Sequence, residues 1–78
     1  MKNVVIYSTP TCHYCHGAKD FFKSHDIPFT DYNVAADKAK AEEMIQKTGQ
    51  MGVPAIFIDD ELVMGFDEER LKELLGVE

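Results

Sequence analysis

Hydrophobic and polar positions change period several times along the chain, and the switches mark its elements. Asn3 to Tyr7 is a β-branched and aromatic run suited to a buried strand. Ser8-Thr9-Pro10-Thr11 interrupts it and offers hydroxyls to cap a following helix. In that helix Cys15, Ala18, Phe21 and Phe22 recur at helical spacing, with Lys19, Asp20 and Lys23 on the other face. Asp26 to Pro28 closes it, and Phe29 to Val34 alternates as a half-buried strand. Asp37 is placed to cap a second helix whose inner stripe reads Ala41, Met44, Ile45 and Thr48, with Gly49 as its stop. The loop Gln50-Met51-Gly52-Val53-Pro54 then enters an apolar strand from Ala55 to Ile58. Asp59-Asp60 turns the chain into a return strand, Leu62 to Met64. Gly65-Phe66 leads to Asp67, a cap for a last helix with Leu71, Leu74 and Leu75 facing inward and Glu68 and Glu69 at its positive end.

The predicted order is β-α-β-α-β-β-α, an α/β pattern. The first strand, its crossover helix and the second strand form a right-handed parallel unit. The tight Asp59-Asp60 turn adds an antiparallel hairpin. A four-stranded mixed sheet flanked by three helices resembles the thioredoxin-like architecture. With 78 residues and no linker, repeat or low-complexity stretch, residues 1–78 read as one domain.

Composition narrows the partners. Net charge is −6 with no Lys/Arg cluster, which argues against nucleic acid. No apolar run approaches a membrane span, and the N-terminus lacks the zones of a signal peptide, so a cytoplasmic protein is expected. The charge is uneven: residues 1–19 hold Lys2, Lys19, His13 and His16 but no acid, and all 14 acids lie from Asp20 onward. Acids distant in sequence can still fold back onto this stretch. Once three helices have covered a sheet no apolar stripe is left over, so a monomer is expected.

The two cysteines, Cys12 and Cys15, stand three residues apart. A disulfide closing so small a loop stabilises little, so the spacing points to redox chemistry or metal binding. Residues i and i+3 of a helix lie about 5–6 Å apart on one face, within the ~4.4–6.8 Å that a disulfide spans. Cys12 falls at the helix entrance, where unpaired backbone N–H groups favour an anion. A free thiol is only about 3% ionised at pH 7, so that position matters. An exposed nucleophile at Cys12 and a buried resolving thiol at Cys15 follow. Two other readings use the same residues. Cys12, Cys15 and His16 also spell the C-x-x-C-H of c-type haem attachment, although no export signal accompanies it. A zinc site or shared cluster is the other, although no second Cys/His pair follows to close it. His13 reads either as a group tuning Cys12 or as a plain helix-start residue; His25, Met51 and Met64 read as surface and packing residues.

Ile6-Tyr7, Thr11-Cys12-His13-Tyr14-Cys15, Val53-Pro54 and Gly65-Phe66-Asp67 occur in the order used by the glutaredoxin family, which the chain resembles along nearly its whole length. The resemblance implies reduction of protein or glutathione mixed disulfides, with glutathione as co-substrate and no bound cofactor or metal. It implies a cis proline at Pro54 and substrate contacts at Thr11, Tyr14, Gln50, Val53, Pro54, Gly65, Phe66 and Asp67, the last for an ammonium group. The usual motif is Cys-Pro-Tyr-Cys; His13 stands where the proline would. Thr9 replaces a lysine common before the motif, and Met64-Gly65 replaces a glycine pair. Gly65-Phe66 is also similar to the segment of glutaredoxin-like redoxins that serve ribonucleotide reductase and draw electrons from a flavoprotein, thioredoxin reductase.

Overall fold

In the computed structural model, residues 3–49 and 52–77 are described. Their elements run β1 (Val4–Ser8), α1 (His13–Ser24), β2 (Thr30–Asn33), α2 (Lys38–Thr48), β3 (Ala55–Ile58), β4 (Glu61–Met64) and α3 (Glu68–Leu75). The sheet has the order β2-β1-β3-β4. β1 lies parallel to β2 and antiparallel to β3, and β4 returns antiparallel along β3.

Strand alternation sorts the core into two layers. Val4 and Ile6 of β1 sit opposite Ile58 and Ile56 of β3, and this face packs with Ala18, Phe21, Phe22, Val63 and Leu71. Val5 and Tyr7 sit opposite Phe57 and Ala55 on the other face, against Met44 of α2 and Tyr32 of β2. The second layer is the more polar. The Tyr7 hydroxyl donates to Glu43 (3.1 Å), and the Lys40 and Lys47 ammonium groups reach the same carboxylate at 3.0 and 3.2 Å. Hydrogen bonds from Lys40, Lys47 and Tyr7 hold the Glu43 carboxyl down at about 2. Lys40 also lies 4.1 Å over the centre of the Tyr32 ring.

The caps follow local chemistry. Asp37 accepts from Lys40 N–H at the start of α2, and Asp67 accepts from Arg70 N–H at the start of α3. Gly49 ends α2 at φ 77°, a left-handed conformation that glycine adopts without penalty. α1 ends differently: Asp26 takes φ 54° while Ile27 N–H donates to the Phe22 carbonyl at 2.8 Å.

Four sequence-based expectations change. The hydroxyls of Ser8, Thr9 and Thr11 do not cap α1; Cys12 does, with its own sulfur. β2 is confined to Thr30–Asn33 and is mostly exposed, because an edge strand paired only with β1 has one neighbour to cover it. Ile45 is exposed, since α2 rests on the sheet through the narrow stripe of Ala41 and Met44. Lys19 leaves the outer face of α1 and pairs with Asp31 of β2 at 3.0 Å.

Strand register gathers three loop segments at one end of the sheet. β1 finishes at Ser8, beside the start of β3, since Tyr7 pairs with Ala55; Ala55 in turn pairs with Met64, the end of β4. Residues 9–12, 52–54 and 65–67 therefore leave the sheet together.

Candidate active site

Cys12 is the N-cap of α1, with extended backbone at φ −87° and ψ 113°. Its sulfur accepts the Cys15 backbone N–H at 3.2 Å. A neutral thiol is a weak acceptor, whereas a thiolate in this place gains a charge-assisted bond and the positive end of the helix. No acidic side chain occupies the first turn of α1 to oppose that charge. Cys12 is half-buried and Cys15 is fully buried. Burial, followed by the hydrogen bond with Cys12, pushes the Cys15 thiol up to about 12. A hydrogen bond with the Thr9 backbone and, less strongly, the charge of Lys19, one turn further along α1, pull in the opposite direction.

Lys19 belongs to a small polar cluster that the pattern of the sequence did not disclose. Ser8, buried at the end of β1, donates from its hydroxyl to Asp31 at 2.6 Å, and Lys19 Nζ lies 3.0 Å from the other oxygen of that carboxylate. Asp31 is thus an acid that folds back beside the acid-free segment. The available signal was a lysine four residues after Cys15 on the same helix face, facing a serine at the end of a buried strand. His16, also outside the expected site, places Nε2 2.8 Å from the Pro10 carbonyl. A carbonyl only accepts, so that nitrogen carries the proton, and the ring ties α1 to the turn that precedes it.

The remaining expected residues divide by surroundings. Tyr14 is 69% exposed on the first turn of α1, and Thr11 and His13 are also exposed. The Val53–Pro54 peptide bond is cis, as the resemblance implied. Pro54 is buried, and its carbonyl accepts Gly65 N–H at 2.8 Å, which joins the second and third loop segments. Gly65 has φ 77°. Phe66 packs on α1: a Cβ at Gly17 would stand 3.2 Å from its ring, and its centroid lies 6.2 Å from that of Phe21. Asp67 spends one oxygen on the α3 cap. Gln50 lies outside the described residues. Among the described residues, no group of three or more His, Cys, Asp or Glu side chains is placed to hold a metal ion, and no helix is long and apolar enough to cross a membrane.

A cysteine pair at the start of the helix after the first strand, beside a cis proline loop on a four-stranded mixed sheet, defines a thioredoxin-like thiol oxidoreductase. Comparison with known proteins narrows the class. The glutaredoxin family model matches residues 4–63. An uncharacterized glutaredoxin-like 8.6 kDa protein in the rubredoxin operon of Clostridium pasteurianum is 43% identical over 72 residues, 92% of this chain and 96% of its own. Glutaredoxin 3 of Escherichia coli K12 is 43% identical over 68 residues, 87% of this chain and 82% of its own. The crystal structure of a mutant thioredoxin-like protein, 31% identical, covers both chains fully with a TM-score of 0.92. The chain belongs to the glutaredoxin family.

Proposed function

We propose that this protein reduces disulfides by a dithiol mechanism, with Cys12 as nucleophile, Cys15 as resolving thiol and glutathione as the reductant that recharges it. One observation carries the reading: a half-buried Cys12 sulfur at the helix entrance stands beside the backbone of a fully buried Cys15 held in its protonated form. The Cys12 thiolate attacks one sulfur of the substrate disulfide. A Cys12–substrate bond forms, the substrate S–S bond breaks, and the departing thiolate takes up a proton.

The same contacts then release Cys15. Its hydrogen bond with Cys12 and the charge on Cys12 both disfavour a Cys15 thiolate, and both vanish once Cys12 is in the mixed disulfide. The Lys19 charge remains. Cys15 loses its proton and attacks Cys12, forming the Cys12–Cys15 disulfide and expelling the second substrate thiol. Two electrons have passed to the substrate, and two glutathione molecules restore the dithiol as they become glutathione disulfide.

In this reading the exposed Tyr14 and Thr11, the Val53 backbone, and the Gly65-Phe66-Asp67 segment flank the bound thiol. Among the described residues the Val53 backbone has no hydrogen-bond partner, so its polar groups are available for a strand-like pairing with substrate. The remaining Asp67 oxygen and the first amides of α3 suit the ammonium and carboxylate of a γ-glutamyl group. The protein acts as a cytoplasmic monomer without a bound cofactor. A flavoprotein reductase is the second candidate reductant, favoured by one observation: Thr9, where a lysine would attract a glutathione carboxylate, lines a pocket with no charged group among its described residues.

Turnover of a disulfide substrate, recharged by glutathione with glutathione reductase or by thioredoxin reductase, tests the scheme. Wild type should turn over with the glutathione system, Cys12→Ser should lose all turnover, and Cys15→Ser should accumulate a mixed disulfide on Cys12. Turnover by Cys12→Ser would sink the nucleophile assignment, and recharging by the flavoprotein alone would replace the reductant.

A further inference from the structure

Thr9, Val34, Ala35, Met44, Gly52 and Val53 line a pocket of about 190 Å³ beside the cis proline loop. Four chain segments meet there: the turn before Cys12, the β2–α2 loop, α2 and the segment before Pro54. Thr9 is the one polar side chain among these six, and none is charged. The walls are fixed. Met44 is buried, Val34 N–H donates to the Ser8 carbonyl at 2.9 Å, and Asn33 Oδ1 accepts from Ala35 N–H at 3.0 Å and from Ala36 N–H at 3.3 Å. The pocket is continuous with the site, because Val53 lies both on its wall and next to Pro54.

These features choose an occupant. A substrate strand paired with the Val53 backbone, which has no partner among the described residues, brings its cysteine toward Cys12, and successive side chains of a strand point to opposite sides. A residue flanking that cysteine is therefore delivered to the pocket. The six described wall residues, all uncharged, reward an apolar side chain and offer a carboxylate no ionic partner. We propose that this pocket receives an apolar side chain next to the reactive cysteine, and that the preferred substrates are polypeptide disulfides flanked in this way. The inference rests on the dithiol reading above.

Single-turnover reduction by the fully reduced protein tests it without an external reductant. The probes are short peptides containing one cysteine, held as mixed disulfides with 2-mercaptoethanol, with Leu, Ser or Asp on either flank. Hydroxyethyl disulfide, which has no flanking side chain, serves as the reference. Wild type should reduce the Leu peptide about tenfold faster than the Asp peptide at one flank, relative to the reference, in keeping with the discrimination that one apolar pocket achieves. Ala35 is exposed at the rim, so Ala35→Lys places a cation at the pocket without disturbing the core. It should shrink that ratio and raise the relative rate for Asp. A misfolded variant would lose peptide and reference alike and leave the ratio unmoved. Reduction of the reference with no flank preference overturns the pocket assignment, as does a Leu preference unchanged in an Ala35→Lys protein that reduces the reference as fast as wild type. Failure to reduce the reference as well as the peptides overturns the dithiol reading instead.

Discussion

Cys12 serves two purposes with one atom. Its sulfur caps α1 by accepting Cys15 N–H, and the same sulfur is the proposed nucleophile. Serine is a good cap in its own right, so Cys12→Ser separates the two: chemistry is lost while the helix start keeps an acceptor. That variant also isolates Cys15 as the only thiol. Burial, the largest cause of its upward displacement, survives the substitution, so the folded variant should still titrate above the ordinary 9.0, as read by ultraviolet thiolate absorbance. Unfolding in urea should return it to the ordinary value; a folded-state titration at or below 9.0 would contradict the burial argument. The folded wild type keeps the Cys15 proton up to about 12, whereas the unfolded chain releases its own near 9.0. Its contribution to stability is fully present below about pH 9 and is lost as pH rises through about 12.

Among the elements, α1 ends with the least favourable local geometry. Asp26 occupies a left-handed conformation at φ 54°, where α2 and α3 end on glycine at φ 77° and 69°. Aspartate tolerates this region better than most residues but less well than glycine. Among the described residues no side-chain hydrogen bond at Asp26 is at stake, so Asp26→Gly should raise stability by about 0.5–1 kcal/mol. Urea denaturation at neutral pH would show this as a higher midpoint with unchanged slope.

The elements also show what the linear pattern conveys. β1, the two Asp-capped helices and the β3–β4 hairpin were legible because alternation, cap chemistry and turn residues act over a few neighbouring positions. The exposure of Ile45 and the shortness of β2 were not, because they depend on how far α2 and the neighbouring strand extend across the sheet. Cys12 and Cys15 were visible from spacing alone. The Ser8–Asp31–Lys19 cluster joins residues 11 to 23 positions apart, and nothing local announces it. The packing of Phe66 against Gly17 is likewise a contact that only the tertiary fold creates.

At the scale of the molecule, the layer under α1 and α3 carries most of the apolar burial. Phe22 lies at its centre, fully buried between the sheet and Phe29, with ring centroids 5.4 Å apart. A domain of 78 residues has a total stability of about 4–12 kcal/mol. Phe22→Ala removes about 3–5 kcal/mol by leaving a cavity, a large share of that total. Thermal unfolding followed by circular dichroism should show a much lower midpoint or no folded baseline. A loss under 1 kcal/mol would mean that this layer repacks freely.

The placement of β1 and β2 bears on how such a protein changes through descent. The cysteines follow β1, which is braced on both sides by β2 and β3, while the β2–α2 loop hangs from an edge strand whose Thr30, Asp31 and Asn33 are exposed. Substitutions at the exposed Ala35 and Ala36 of that loop meet few packing constraints; those that shift β1 disturb both layers. With substrate choice set at the proposed pocket, lineages are thereby free to exchange one clientele for another while inheriting the same reactive thiols.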